Sequence, residues 1–163
     1  MKTIVIYYGY GNHTRMIAKQ IKEKLECDIL EIKPKIPYSS NYQTVVDETE
    51  DNLQTRKTPE IEDIKVSLKD YDRVILGTPV WWYTIAPPIR TFLTKNDLSN
   101  KIVIPFVTNA GWVGSTFDEI RELCNGNVKN EISIQFTTNH SEDKLVTTKE
   151  EINKWINTLK EEF

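Results

Sequence analysis

Apolar positions along the chain switch repeatedly between two spacings, and the switches predict the elements. Residues 3 to 8 form a continuous apolar run, the mark of a strand buried on both faces. Ile17, Ala18, Ile21 and Leu25 then recur at helical spacing within Thr14–Leu25. A second strand is predicted at Asp28–Ile32. It is followed by a connection carrying Pro34, Pro37, Tyr38 and Tyr42, and by a polar, helix-like stretch from about Thr44 to Gln54. Strands are predicted at 73–78 and 102–107. Helices are predicted after Pro87-Pro88, with Ile89, Phe92 and Leu93 inward, and from Ser115 to Cys124. Ile132, Ile134 and Phe136 alternate on a last strand, and Ile152, Trp155, Ile156 and Leu159 stripe a final helix. Five strands alternating with helices predict an α/β fold with a doubly wound parallel sheet. No repeat, low-complexity tract or membrane-length apolar run interrupts the pattern.

The 163 residues suit a single domain, 1–163, with no room for a second catalytic one. Charged residues make up 28% and the net charge is −3, so no basic stripe suggests nucleic acid and no polybasic patch suggests a membrane surface. Cys27 and Cys124 fit no metal or redox spacing and read as reduced, packed thiols. The apolar start stops short of the roughly 7 residues a signal peptide needs. The expectation is a cytoplasmic protein.

Two segments carry candidate chemistry. Gly9-Tyr10-Gly11-Asn12-His13-Thr14 joins the first strand to the first helix, where exposed amides and the helix dipole favour an anion of phosphate size. Thr14 offers a hydroxyl and His13 a donor; the same segment also reads as an ordinary turn with Thr14 as N-cap. Gly9-x-Gly11-x-x-Thr14, with Glu31 ending the second strand, approximates a dinucleotide fingerprint that lacks its last glycine. The second segment is Gly77-Thr78-Pro79-Val80-Trp81-Trp82-Tyr83, followed by Pro87-Pro88. Three adjacent rings lie just past the carboxyl end of a buried strand, where open α/β sheets bind ligands, so a flat aromatic ligand is the expected partner. One of Trp81 and Trp82 is expected to pack in the core. No nucleophile, acid/base pair or metal cluster is legible, His140 reads as a loop residue, and Asp118 and Glu119 read as charges compensating a helix dipole.

Taken together, these segments resemble the flavodoxin family over nearly the whole chain. Tyr7-Tyr8-Gly9-Tyr10-Gly11-Asn12-His13-Thr14 aligns without a gap to a first strand ending in Tyr-Tyr-Ser-x-Ser-Gly-Asn-Thr. Asn41-Tyr42 and Thr58-Pro59-Glu60-Ile61 resemble the middle connection, and Pro79-Val80-Trp81-Trp82 with Pro87 the second flavin loop. Ile104 to Ser115, through Thr108-Asn109-Ala110-Gly111-Trp112-Val113-Gly114, resembles the third. The resemblance implies strand order 2-1-3-4-5, a three-layer α/β/α sandwich and non-covalent flavin mononucleotide (FMN). It would place FMN against Gly9, Tyr10, Gly11, Asn12, His13 and Thr14; against Thr78, Pro79, Val80, Trp81, Trp82 and Tyr83; and against Thr108, Asn109, Gly111, Trp112 and Gly114.

The departures from the family fall on the cofactor. Gly9 and Gly11 replace two phosphate-binding hydroxyls, each worth about 1.5–3 kcal/mol. Tyr83 stands where relatives often carry glycine, which stiffens a turn that moves on reduction. Asp118 and Glu119 would add negative charge near the flavin and lower its potential.

The leading expectation is an electron carrier making transient contacts with redox partner proteins, as a monomer or weak dimer. A second reading is an NAD(P)H-dependent quinone or flavin reductase on the same fold, and a third a flavin-free module that docks a protein through the aromatic loop.

Overall fold

The computed structural model describes residues 1–137 and 144–161; His140 lies outside them. Strand β1 (Thr3–Tyr7) is buried at every position, and its side chains alternate between the two faces of the sheet. Ile4 and Ile6 enter one core with Val74, Leu76, Val103 and Val107, while Val5 and Tyr7 enter the other with Ile75, Ile104 and Phe106. The second core is closed by α1 (His13–Leu25), through Ile17, Ala18 and Ile21, and by α6 (Lys149–Glu161), through Ile152, Ile156 and Leu159. The first is closed by α4 (Pro87–Lys95), through Ile89, Phe92 and Leu93, and by α5 (Thr116–Leu123), through Ile120. The result is the expected sandwich of helices on both faces of one sheet.

The sheet runs β2 (Asp28–Glu31), β1, β3 (Arg73–Trp81), β5 (Ile102–Asn109), with parallel pairing throughout. The fifth position is shared by two short strands. Strand β6 (Asn127–Val128) pairs the start of β5, and β7 (Ile132–Gln135) pairs its end. The last strand expected from Ile132, Ile134 and Phe136 is present as β7, and the unexpected β6 precedes it, the two separated by a left-handed Asn130 (φ 56°) whose carbonyl accepts a hydrogen bond from the Trp155 indole at 2.7 Å. With the two pieces counted as one strand, the order is the expected 2-1-3-4-5. The stretch expected as one helix from Thr44 to Gln54 divides into α2 (Tyr42–Glu48) and α3 (Asn52–Thr55).

The chain order reverses between β1 and β3, which opens a crevice at their carboxyl ends. Strand β3 extends to Trp81, further than the apolar pattern predicts, and folds back antiparallel on β4 (Thr84–Ile85). Among the described residues, no helix is long and apolar enough to cross a membrane. Cys27 and Cys124 are unpaired, and burial pushes both thiols up.

Candidate functional site

A cavity of about 550 Å³ occupies the crevice at the carboxyl ends of β1, β3 and β5. Three segments named from the sequence meet there. Tyr10, His13 and Thr14 line it from the first turn, Pro79 to Tyr83 from the β3–β4 hairpin, and Thr108, Asn109, Gly111 and Trp112 from the end of β5. Among the described residues that line it there is no Asp, Glu, Lys or Arg.

The first turn is built to present amides. Gly11 takes φ 77°, a conformation that strains other residues, and a Cβ there would meet nothing within 4 Å. Asn12, not Thr14, is the N-cap of α1; its side chain makes no capping hydrogen bond, and the helix has no acidic residue in its first turn. The Asn12 side chain thus does not occupy the amides at this helix start, a position that suits an anion. Gly9, Gly11 and Asn12 form the turn itself without lining the cavity. The Thr14 hydroxyl is buried and shares a 2.8 Å hydrogen bond with that of Thr108. His13 stacks on Phe136, with the rings 3.9 Å apart and 3° from parallel. Glu31, the ribose-binding candidate of the dinucleotide reading, is held instead by Arg15 at 2.5 Å.

The hairpin carries the aromatics in a two-residue turn. Val80 pairs Ile85 and Trp81 pairs Thr84, leaving Trp82 (φ 50°) and Tyr83 (φ 68°) as central residues that are both left-handed. Such turns normally take Asn-Gly, and each bulky residue in this region costs about 1–3 kcal/mol. The surroundings hold the turn in place. The Trp82 indole donates to the Val46 carbonyl of α2 at 2.9 Å, and the Ser115 amide donates to the Tyr83 carbonyl at 2.6 Å. Gly114, at φ 54°, allows that approach, because a Cβ would sit 2.2 Å from the Tyr83 oxygen.

Gly114 and Thr78, named as cofactor contacts from the sequence, therefore serve the hairpin and do not line the cavity. Thr78 is buried, donating its hydroxyl to Pro79 and accepting the Ala86 amide. Trp81 lines the cavity and also packs edge-on against Tyr8, Tyr10 and Tyr38, at centroid distances of 5.6, 5.8 and 4.9 Å. Burial pushes the Tyr8 phenol far above its ordinary range. Tyr83 and Trp112 face each other at 4.8 Å with 46% and 66% exposure, forming an open aromatic rim that Tyr42 extends.

Beneath the hairpin lies a charge pair that the sequence reading misplaced. Only Asp118 is a solvated charge at the start of α5; Glu119 is buried and bonded to Arg90 Nε at 2.7 Å, with Arg56 at 3.2 Å and Thr84 at 3.1 Å. A carboxylate neutralised in this way adds little field to the cavity. Sequence reasoning did not assign to the site Tyr42, Val45 and Val46 of α2, Thr49 just past its end, or Ala110, Phe136 and Thr137. Tyr42 and Ala110 had appeared only inside the segments that resemble the family, and Phe136 as the last member of the alternating 132–136 run.

A flavoprotein from Lactobacillus acidophilus NCFM in complex with FMN is similar in structure, with 24% identity, a TM-score of 0.73, and 94% of this chain and 97% of that one covered. A putative flavoprotein from Bacteroides uniformis ATCC 8492 is 22% identical over 96% of this chain and 97% of that one, at a TM-score of 0.74. Oxidised Flavodoxin 2 from Bacillus cereus is 18% identical over the full length of both, at 0.59. No curated protein matches the sequence. The Flavodoxin family model matches residues 2–159, spanning both cores and every wall of the cavity, and the chain belongs to the flavodoxin family.

Proposed function

We propose that the protein binds FMN non-covalently in this cavity and carries electrons between redox partner proteins in the cytoplasm. One observation carries the reading: a cavity whose described lining is aromatic and carries no Asp, Glu, Lys or Arg meets a helix start with no acidic residue in its first turn and no hydrogen bond from its N-cap side chain, so one site offers both a flat apolar slot and an anion seat. Those two halves match a ring system and its phosphate. FMN, when bound, would supply the reversible uptake of electrons, and the protein's part is placement and environment.

In this reading the amides of the Gly9–Asn12 turn and the start of α1 hold the phosphate. The Thr14–Thr108 hydroxyl pair keeps a proton to donate beside it, since only one of its two hydrogens is used between the partners. Trp82 and Tyr83 present their turn to the ring edge, Trp112 covers the solvent side, and the Trp81 and Tyr8 rings exclude water beneath. Partner proteins approach through the exposed rim of Tyr42, Tyr83 and Trp112. That rim also favours a second reading, a reductase in which a nicotinamide or quinone ring stacks on the same residues.

Titration of the apoprotein with FMN, followed through protein and flavin fluorescence, tests the site, and anaerobic addition of NADPH separates the readings. Quenching without bleaching supports the carrier. Rapid bleaching selects the reductase. Absence of any quenching rejects both.

A further inference from the structure

The aromatic turn is gripped from behind by a residue outside the cavity. Asn52, at the start of α3 and only 3% exposed, donates from its one Nδ2 to the Trp81 carbonyl at 2.8 Å and to the Ile85 carbonyl at 3.0 Å. These carbonyls belong to the two stems of the hairpin, on either side of the left-handed pair Trp82-Tyr83. Asn52 Oδ1 in turn accepts from Arg90 Nη1 at 2.9 Å, and Arg90 is fixed by Glu119 and the Lys57 carbonyl. The network leaves only one orientation of the amide: reversal would set its oxygen against two carbonyls and its nitrogen against a guanidinium. Arg90 Nη2 meanwhile is the one fully buried side-chain nitrogen or oxygen without a partner among the described residues. The guanidinium thus satisfies Asn52 and Glu119 ahead of itself.

We propose that Asn52 is the positioning residue of the aromatic turn. Its two hydrogen bonds clamp the hairpin stems so that Trp82 and Tyr83 hold their strained geometry before any ligand arrives, and the Arg90–Glu119 pair orients the clamp. Pre-organisation of this kind lowers the ordering cost of binding. The consequence for affinity rests on the reading that the cavity takes FMN; the consequence for the turn does not.

The test uses two indole N–H groups of the full-length protein. That of Trp82 bonds Val46 at the turn, and that of Trp155 bonds Asn130 on the opposite face of the sheet. Hydrogen exchange of both is measured by NMR in the apoprotein for wild type, Asn52→Leu and Asn52→Asp. The aspartate keeps an acceptor for Arg90, whose charge holds it ionised, and loses the two donors. With two hydrogen bonds removed, the Trp82 indole is expected to exchange at least about tenfold faster in both variants while Trp155 keeps its wild-type rate. FMN affinity should fall by a similar factor. Equal acceleration of the two indoles would reduce Asn52 to general stability, and an unchanged Trp82 rate, in Asn52→Asp alone or in both variants, would overturn the proposal. A wild type that takes no FMN refutes the function proposed above and leaves the exchange contrast to decide on Asn52.

Discussion

Replacing Gly114 with alanine inserts one methyl group where the hairpin and the β5–α5 loop touch. The new Cβ would stand 2.2 Å from the Tyr83 oxygen and 2.8 Å from its carbonyl carbon and Cα, all backbone atoms that cannot rotate away as a side chain would. The Ser115–Tyr83 hydrogen bond of 2.6 Å must lengthen or break. A left-handed non-glycine residue costs about 1–2 kcal/mol and overpacking a further ~1–3 kcal/mol, so the loss is on the order of 2–5 kcal/mol. For a domain of this size, each kcal/mol lowers the melting midpoint by roughly 2–4 °C, which gives a drop of roughly 5–20 °C. Thermal unfolding of the apoprotein by circular dichroism measures it. Gly11→Ala is the control, because it shares the positive φ but opens onto empty space, and it should lose only about 1–2 kcal/mol. If the two variants melt together, the Tyr83 contact is not what demands glycine at 114, and the argument from close approach fails.

Thr14→Ala removes one half of the buried hydroxyl pair and should weaken FMN binding by about 1.5–3 kcal/mol, roughly tenfold to a hundredfold, read by fluorescence titration; unchanged affinity removes Thr14 from the phosphate seat. Glu119→Gln leaves Arg90 buried without its counter-charge and should cost about 3–5 kcal/mol in denaturant unfolding, whereas Asp118→Asn next to it should stay within about 0.5 kcal/mol. Equal effects would deny the burial of the pair. Burial raises the phenols of Tyr7, Tyr8 and Tyr38, and the hydrogen bond to Asp28 raises Tyr71 to about 12. Because these folded values exceed the unfolded value near 10, their stabilisation is complete below about pH 10 and is lost as pH climbs past it. The tyrosinate absorbance of these four among the seven tyrosines should then rise late and together with unfolding, and a fully reversible rise that accounts for all seven in the folded protein would contradict the burial of these rings.

Much of the fold was legible because buried parallel strands and amphipathic helices write their burial as simple spacing, as in 3–8 against Ile17, Ala18 and Ile21. The additional short strand β6 was not, since nothing local distinguishes 127–128 from a loop until β5 lies beside it. In the site, the glycine-rich turn and the aromatic run were visible as composition. What each residue does there was less visible: Thr78 and Gly114 look like ligand contacts but brace the hairpin, and Glu119 looks like a surface charge until Arg90 reaches it from α4. The wall supplied by α2 was legible only as a polar, helix-like stretch, because Tyr42, Val45 and Val46, with Thr49 just beyond, acquire their meaning only when the helix folds over the crevice.

The division of the fifth strand also bears on how the molecule behaves in a crowded solution. A sheet's outer strand offers free backbone groups to any neighbour able to pair with them, the usual start of edge-to-edge aggregation. Here that border is interrupted at Asn130, and the returning chain pairs with its far end: the Val146 and Thr147 amides donate to the Gln135 carbonyl, and the Thr147 hydroxyl accepts the Gln135 amide. Leu145 adds a bridge to Phe136. The border of the sheet farthest from β2 is thus short, and its far end is already paired by the chain's own return, which leaves a foreign strand less edge to join.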